Sequence, residues 1–208
     1  REKKLLRLLE KHRGKYGEFD CVVPGSGGKD SCYAAHILKY KYGMNPLTVT
    51  WPPILYTDYG LKNFKNWIST GKLKNISASR DEKTMKILTK LSILNLLHPF
   101  QTFMLGQKIF SVKMALKYKI PLIFYGENEA EHGSLPLAEN YISLRNKSFF
   151  TYKNLNKLHL AGIPLNELYS TYSLKRKNLE IFLPPSVKAF ENFPLEVHYL
   201  GYYVNWIP

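Results

Sequence analysis

Only two cysteines, Cys21 and Cys32, occur in this 208-residue chain, and they form no Cys-x-x-Cys pair. A disulfide framework is excluded, and both thiols read as small buried hydrophobes. No apolar run comes near the roughly 18 residues that a helical membrane span needs. The opening Arg1-Glu2-Lys3-Lys4-Leu5-Leu6-Arg7-Leu8-Leu9 is charged throughout, unlike the apolar core of a signal peptide. Internal repeats and low-complexity tracts are missing too. Acidic residues are scarce, 16 against 30 Lys and Arg, which leaves a formal net charge of +14. These absences point to a soluble, cytoplasmic protein whose surface attracts nucleic acid, a membrane face or a phosphorylated small molecule.

What is present suits one α/β domain with a small appended lobe. Hydrophobic residues make up 45% and charged residues 22%, so the chain can bury a core. Residues 1–13 read as an amphipathic helix closed by Gly14 and Gly17. Strands are expected at 19–24, 47–51, 75–79 and 121–125, and helices at 31–42, 61–69, 81–97 and 101–118. Such alternation gives a parallel sheet, whose ligands sit at the carboxyl ends of the strands. Beyond residue 129 the pattern loosens: 154–161 and 166–177 read as short helices, and 195–206 as aromatic and extended. Residues 121–140 hold no Lys or Arg but carry Glu127, Glu129, Glu131 and Glu139. This acidic island reads either as a place for metal or amine chemistry or as a solvated loop.

The strongest local signal is Pro24-Gly25-Ser26-Gly27-Gly28-Lys29-Asp30-Ser31, between the first strand and the next helix. Glycines let backbone N–H groups approach an anion with no Cβ in the way. The helix start adds free N–H groups and a positive dipole end. Lys29 supplies a point charge, and Ser26 and Ser31 supply hydroxyls. Bare phosphate would repel Asp30, so its expected role is to meet a metal ion or cap the helix. The turn is not a Walker loop, because Asp30 follows Lys29, and Gly-x-Gly-x-x-Gly is ruled out by the missing third glycine.

The hexapeptide Ser26-Gly27-Gly28-Lys29-Asp30-Ser31 instead resembles the Ser-Gly-Gly-x-Asp-Ser motif of the PP-loop ATP pyrophosphatases. Further segments narrow the likeness: Leu47–Trp51 with Leu55–Gly60, Pro121–Gly133, His198–Tyr203 and Trp206-Ile207-Pro208. Together they resemble the N-acetyl sugar amidotransferases, which amidinate O-antigen sugars and the pseudaminic acid-type sugars of flagellin glycans. The likeness runs from about Asp20 to Pro208. It implies an α/β, parallel-sheet, Rossmann-like domain of the HUP (adenine nucleotide alpha hydrolase-like) kind with a small helical and extended C-terminal region. The organisation expected is an N-terminal helix (1–18), a PP-loop ATP-binding domain (19–130) and a substrate or partner region (131–208).

The implied activity is ATP-dependent amidination of an N-acetyl sugar. The acetamido oxygen is adenylated, ammonia displaces AMP, and the ammonia comes from a separate glutaminase subunit. The implied cofactors are ATP and Mg2+. The chain departs from the family in three places. Gly25 stands where an apolar residue is commoner, which implies a looser loop. The N-terminal cysteine pairs of a zinc site are missing, as is the continuation past Trp-x-Pro, so a trimmed or naturally short chain is expected.

Within this frame Ser26, Gly27, Gly28, Lys29, Asp30, Ser31 and Gly126 are expected around the nucleotide, with Lys29 neutralising pyrophosphate. Thr50 and Trp51 read as adenine contacts or, for the tryptophan, as core. Asp58 reads as a nucleotide or metal contact or as a turn residue. Asp30 and Glu127 are the expected Mg2+ ligands, Glu127 being also an ammonium contact, with Asn128 a polar clamp and Glu131 beside the substrate. His132 reads as the base that deprotonates ammonium or as a plain loop histidine. Tyr199, Tyr202 and Tyr203 read as sugar-stacking rings or as an edge strand on the core. His12, His36, His98, His159 and His198 show no metal spacing. The rival reading is a PP-loop tRNA-modifying enzyme, thiolase or lysidine synthetase, favoured by the charge of +14. Against it, the thiolating type needs cysteine pairs. The non-enzymatic rival is a module that binds ATP without turnover.

Overall fold

The computed structural model describes residues 1–126, 145, 147–152 and 157–205. In chain order the main elements are α1 (Glu2–His12), β1 (Cys21–Pro24), α2 (Lys29–His36), β2 (Pro46–Thr50), α3 (Asp58–Thr70), β3 (Lys74–Ser77), α4 (Glu82–Leu96), α5 (Gln101–Tyr118) and β4 (Leu122–Tyr125). Then follow β5 (His159–Leu160), β6 (Ile163–Pro164), α6 (Leu165–Ser170), α7 (Arg176–Leu179), β7 (Glu196–Tyr199) and α8 (Leu200–Tyr203).

Alternation along the strands creates the layers. Cys21 and Val23 join one core, with Leu5 and Leu9 of α1, Ala34 and Ala35 of α2 and Trp67 of α3. Val22 between them joins the other core, with Leu47, Val49, and Val112 and Ala115 of α5. A period of two therefore sends helices α1–α3 to one face and α4 and α5 to the other. On α1 the buried positions are Leu5, Leu9 and His12, one stripe of a helix otherwise faced by charge.

The central sheet has five strands in the order β3-β2-β1-β4-β7, and every pairing is parallel. This is an α/β fold of the general Rossmann-like kind. The order reverses between β1 and β4, which opens a crevice at their carboxyl ends. β7 completes the same sheet beside β4, so the C-terminal region contributes a strand to the main domain. No helix among the described residues is long and apolar enough to cross a membrane.

Several expectations are revised. Segment 19–24 forms a strand only from Cys21, because Asp20 turns to bind Gly14 N at 2.6 Å and Asn45 N at 2.7 Å. The helix expected from residue 61 starts at Asp58, because the Thr57 hydroxyl caps it by accepting from Gly60 N at 3.0 Å. Asp58 is thus a first-turn residue. The helix expected at 154–161 gives way to strand at His159–Leu160, paired with Ile163–Pro164 around Gly162 at φ +78°. Residues 153–156 lie outside the described set. The helix expected at 166–177 splits into α6 and α7. The extended segment 195–206 is a strand only to Tyr199, then one helical turn.

Candidate functional site

The glycine-rich turn leaves β1 at Pro24 and enters α2 at Lys29, and each glycine in it has a different neighbour. A Cβ on Gly25 would sit 2.4 Å from Ser31 Cβ and 2.7 Å from the Trp67 ring. Gly25 therefore lets the helix start close onto the strand end, and the looser loop expected there is corrected to a tight one. Gly27 has φ +90°, and its Cβ would meet Phe64 Cα of α3 at 2.6 Å. Across the crevice, a Cβ on Gly126 would meet Asp30 O at 2.5 Å.

Gly28 differs. Its backbone, φ −71° and ψ 159°, is open to any residue, and a Cβ there would meet nothing within 4 Å. It is the N-cap of α2 and provides no side-chain cap. The first N–H groups of a helix lack intrahelical partners, so this end is left to solvent or to a ligand.

The crevice between these loops has a volume of about 110 Å³, with Ser26, Gly28, Ser31, Trp51, Ser111 and Gly126 in its walls. Trp51 is buried against α5, where a Cβ on Gly106 would fall 2.0 Å from its ring, and its indole N–H has no partner among the described residues. The Ser111 hydroxyl lies 2.8 Å from Tyr125 OH in the same wall. Ser31 Oγ donates to Gly28 O at 3.0 Å and ties off the turn.

The expected residues are not all brought together. Ser26, Gly28, Ser31, Trp51 and Gly126 share the crevice. Lys29 and Gly27 face a separate groove between α2 and α3, alongside Tyr33, His36 and Trp67. The Lys29 ammonium donates to both Asp30 oxygens, at 2.8 and 3.0 Å. The carboxylate is thus neutralised within the loop, and Lys29 must leave it to reach a phosphate in the crevice. Thr50 is corrected: its hydroxyl points to the opposite face of β2 and accepts from the Asn75 amide at 2.9 Å, fully buried. Alternation dictates this, because Val49 and Trp51 take the crevice side. For Tyr199 the edge-strand alternative holds and the sugar-stacking one does not: it lies on the edge strand β7, buried in the core with its ring 6.3 Å from that of Tyr125. Tyr202 is likewise drawn away, its ring edge-on to that of Tyr203 and covered by the Arg1 guanidinium at 4.8 Å. Glu127, Asn128, Glu131 and His132 lie outside the described residues, as do Trp206, Ile207 and Pro208.

Sequence reasoning missed the contribution of α5. Gln107, Phe110 and Ser111 line the crevice at i, i+3 and i+4 spacing, one helix face. The polar residues breaking an otherwise apolar helix were the available signal. Reasoning also missed Arg80, just past β3, whose guanidinium lies 5.2 Å from the Trp51 ring centroid.

Cys21 is fully buried, and burial pushes its thiol well up, with the Asp20 charge adding to the effect. Burial also raises the Cys32 thiol. Neither is a ready thiolate. No cluster of three or more His, Cys, Asp or Glu suited to a metal occurs among the described residues. No protein-family model matches the chain, and no match to it is found among curated proteins.

Proposed function

We propose that the chain is a PP-loop, HUP-type ATP-dependent amidotransferase that converts the acetamido group of an N-acetyl sugar to an acetamidino group. The observation that carries the reading is Gly28. Neither its dihedral angles nor its neighbours among the described residues require a glycine, and the missing side chain suits the close approach of an anion. It lies at a helix start, at the point where the strand order reverses, and within a Ser-Gly-Gly-x-Asp-Ser hexapeptide. A β,γ-pyrophosphate fits that chemistry, held by backbone N–H groups and the Ser26 hydroxyl.

With the terminal phosphates held there, the sugar's amide oxygen attacks the α-phosphorus, and the bond to pyrophosphate breaks. The resulting imidate carries AMP as a good leaving group in place of a very poor one. Ammonia adds at the imidate carbon, AMP departs, and a proton is lost to give the amidine. Ammonia from a glutaminase subunit, or ammonium deprotonated by a base such as His132, suits the second step. Mg2+ accompanies ATP in such sites, taking phosphate oxygens and one or two carboxylates. Asp30, once released from Lys29, and Glu127 would be the carboxylates to hold such an ion, which would offset phosphate charge. Trp51, in the crevice wall, would lie beside the nucleotide.

The test is AMP and pyrophosphate release with ATP, ammonium and a panel of free and nucleotide-linked N-acetyl sugars. Release that needs both sugar and ammonium, with the acetamido oxygen replaced by NH in the product mass, supports the proposal. AMP release with unchanged sugar mass contradicts it. The net charge of +14 keeps a tRNA-modifying enzyme as the second reading. A salt-dependent tRNA mobility shift with tRNA-stimulated AMP release would favour that reading.

A further inference from the structure

Beside the crevice, at the carboxyl ends of β2 and β3, lies a larger groove of about 780 Å³. Its walls are apolar: Ile54 and Leu55 from the segment after β2, and Met85, Ile93 and Leu94 from α4. Leu55 is 86% exposed and Leu94 64%, an unusual outlay of large apolar surface in a chain so rich in charge. Arg80 lines the same groove. Its Nη2 donates to Pro53 O at 3.0 Å, and its guanidinium lies over Trp51, but its Nη1 is buried and without a hydrogen-bond partner among the described residues. Burial pushes this guanidinium below its ordinary value, with Tyr56 acting the other way. Among the described residues no carboxylate pairs with it. Lys86 and Lys90 also line the groove, against Glu82 as the only acid there.

A half-buried cation with only part of its guanidinium hydrogen-bonded, set among apolar walls, gains from an anion that completes it. A guanidinium with ammonium groups nearby suits a doubly charged phosphate better than a carboxylate. We infer that this groove binds a phosphate monoester carrying an apolar chain, its phosphate on Arg80 and its chain along α4. The overall charge of the protein favours such a ligand's approach. Trp51 lines the crevice and carries the Arg80 guanidinium over its ring, so a phosphate on Arg80 lies next to the loop and within reach of that indole's emission. The inference requires neither ATP nor turnover and stands apart from the chemistry proposed at the loop.

The test is titration of the full chain with dodecyl phosphate below its micelle concentration, followed by calorimetry and tryptophan emission. One molecule should bind per chain, at least tenfold more tightly than inorganic phosphate, dodecanol or dodecanoate. Arg80→Gln should weaken it at least tenfold. Ile93→Glu, at a half-exposed position that leaves the fold intact, should do the same by placing a carboxylate beside the chain. Trp51→Phe should abolish most of the emission change. Equal binding by both variants, or dodecanol or dodecanoate binding as tightly as the phosphate, overturns the assignment. So does adsorption to anionic vesicles with no uptake of monomeric dodecyl phosphate.

Discussion

Polar groups meet different fates at the two edges of the parallel sheet. At the amino edge most are matched within the chain, the buried His12 Nε2 being an exception among the described residues. Asp20 accepts from Gly14 N and Asn45 N, and the Asn45 amide reaches Glu18 O at 2.6 Å. Glu196, at the start of β7, is held by Lys11 of α1 and by His198, whose Nδ1 lies 2.8 Å from Tyr203 OH. His12 adds a buried ring 3.7 Å from the same carboxylate. At the carboxyl edge the Trp51 N–H and an Arg80 Nη1 are unmatched among the described residues, and none of these crowds Gly28. Groups matched internally stabilise the fold, and groups left unmatched at the ligand-binding edge are available to something else.

If this division is right, substitutions at the two edges separate stability from binding. The largest effect is expected from Gly28→Asp. Aspartate is at least as good an N-cap as glycine, so stability should hold or rise by a few tenths of a kcal/mol. The new carboxylate, however, occupies the space assigned to phosphate, and pyrophosphate affinity should fall about 100-fold, roughly 2.7 kcal/mol. Calorimetric titration beside thermal unfolding checks both. Equal loss of stability and binding would erase the distinction between the edges.

Gly126→Ala sharpens it from within the same edge. Its Cβ would collide with Asp30 backbone, so stability should drop by about 1–3 kcal/mol, read by urea unfolding. Asp20→Ala, at the other edge, should cost about 1–3 kcal/mol by leaving two backbone donors unmet. It should leave pyrophosphate affinity unchanged.

The smallest effect concerns pH. Burial holds His12 below its ordinary value of 6.5, with Glu196 acting the other way. The unfolded chain therefore takes up this proton first as pH falls. The stabilisation is complete above about 6.5 and is lost as pH drops through the lower folded value. Glu196 adds to this in more acid solution: burial raises it, but Lys11 and His198 together bring it below 4.5. Its contribution is present above that value and lost below it. Tm should fall between pH 7 and 5.5, and less steeply in His12→Gln.

Much of this contrast could be read in the chain before any coordinates. Strands β1 to β4 and helices α2, α4 and α5 follow from periodicity and Gly/Pro punctuation, which are local. The loop at 25–31 was legible because its chemistry is contiguous. What the sequence hid depends on distant partners. β7 pairs with β4 across more than 70 residues, and the His12–Glu196–His198 cluster joins the two ends of the chain. Side-chain direction was the other blind spot. Thr50 and Trp51 are neighbours in sequence, yet the pleat sends them to opposite faces. Gly25 looked like an irregularity, and only the closeness of Trp67 and Ser31 gives it a reason.

The most direct test of the central claim is a crystal structure with a non-hydrolysable ATP analogue. Its β- and γ-phosphates should lie against the backbone N–H groups of the 26–31 turn, over Gly28, with the α-phosphorus open toward the crevice. Phosphates bound anywhere else, or a turn left empty at saturating analogue, would contradict the account.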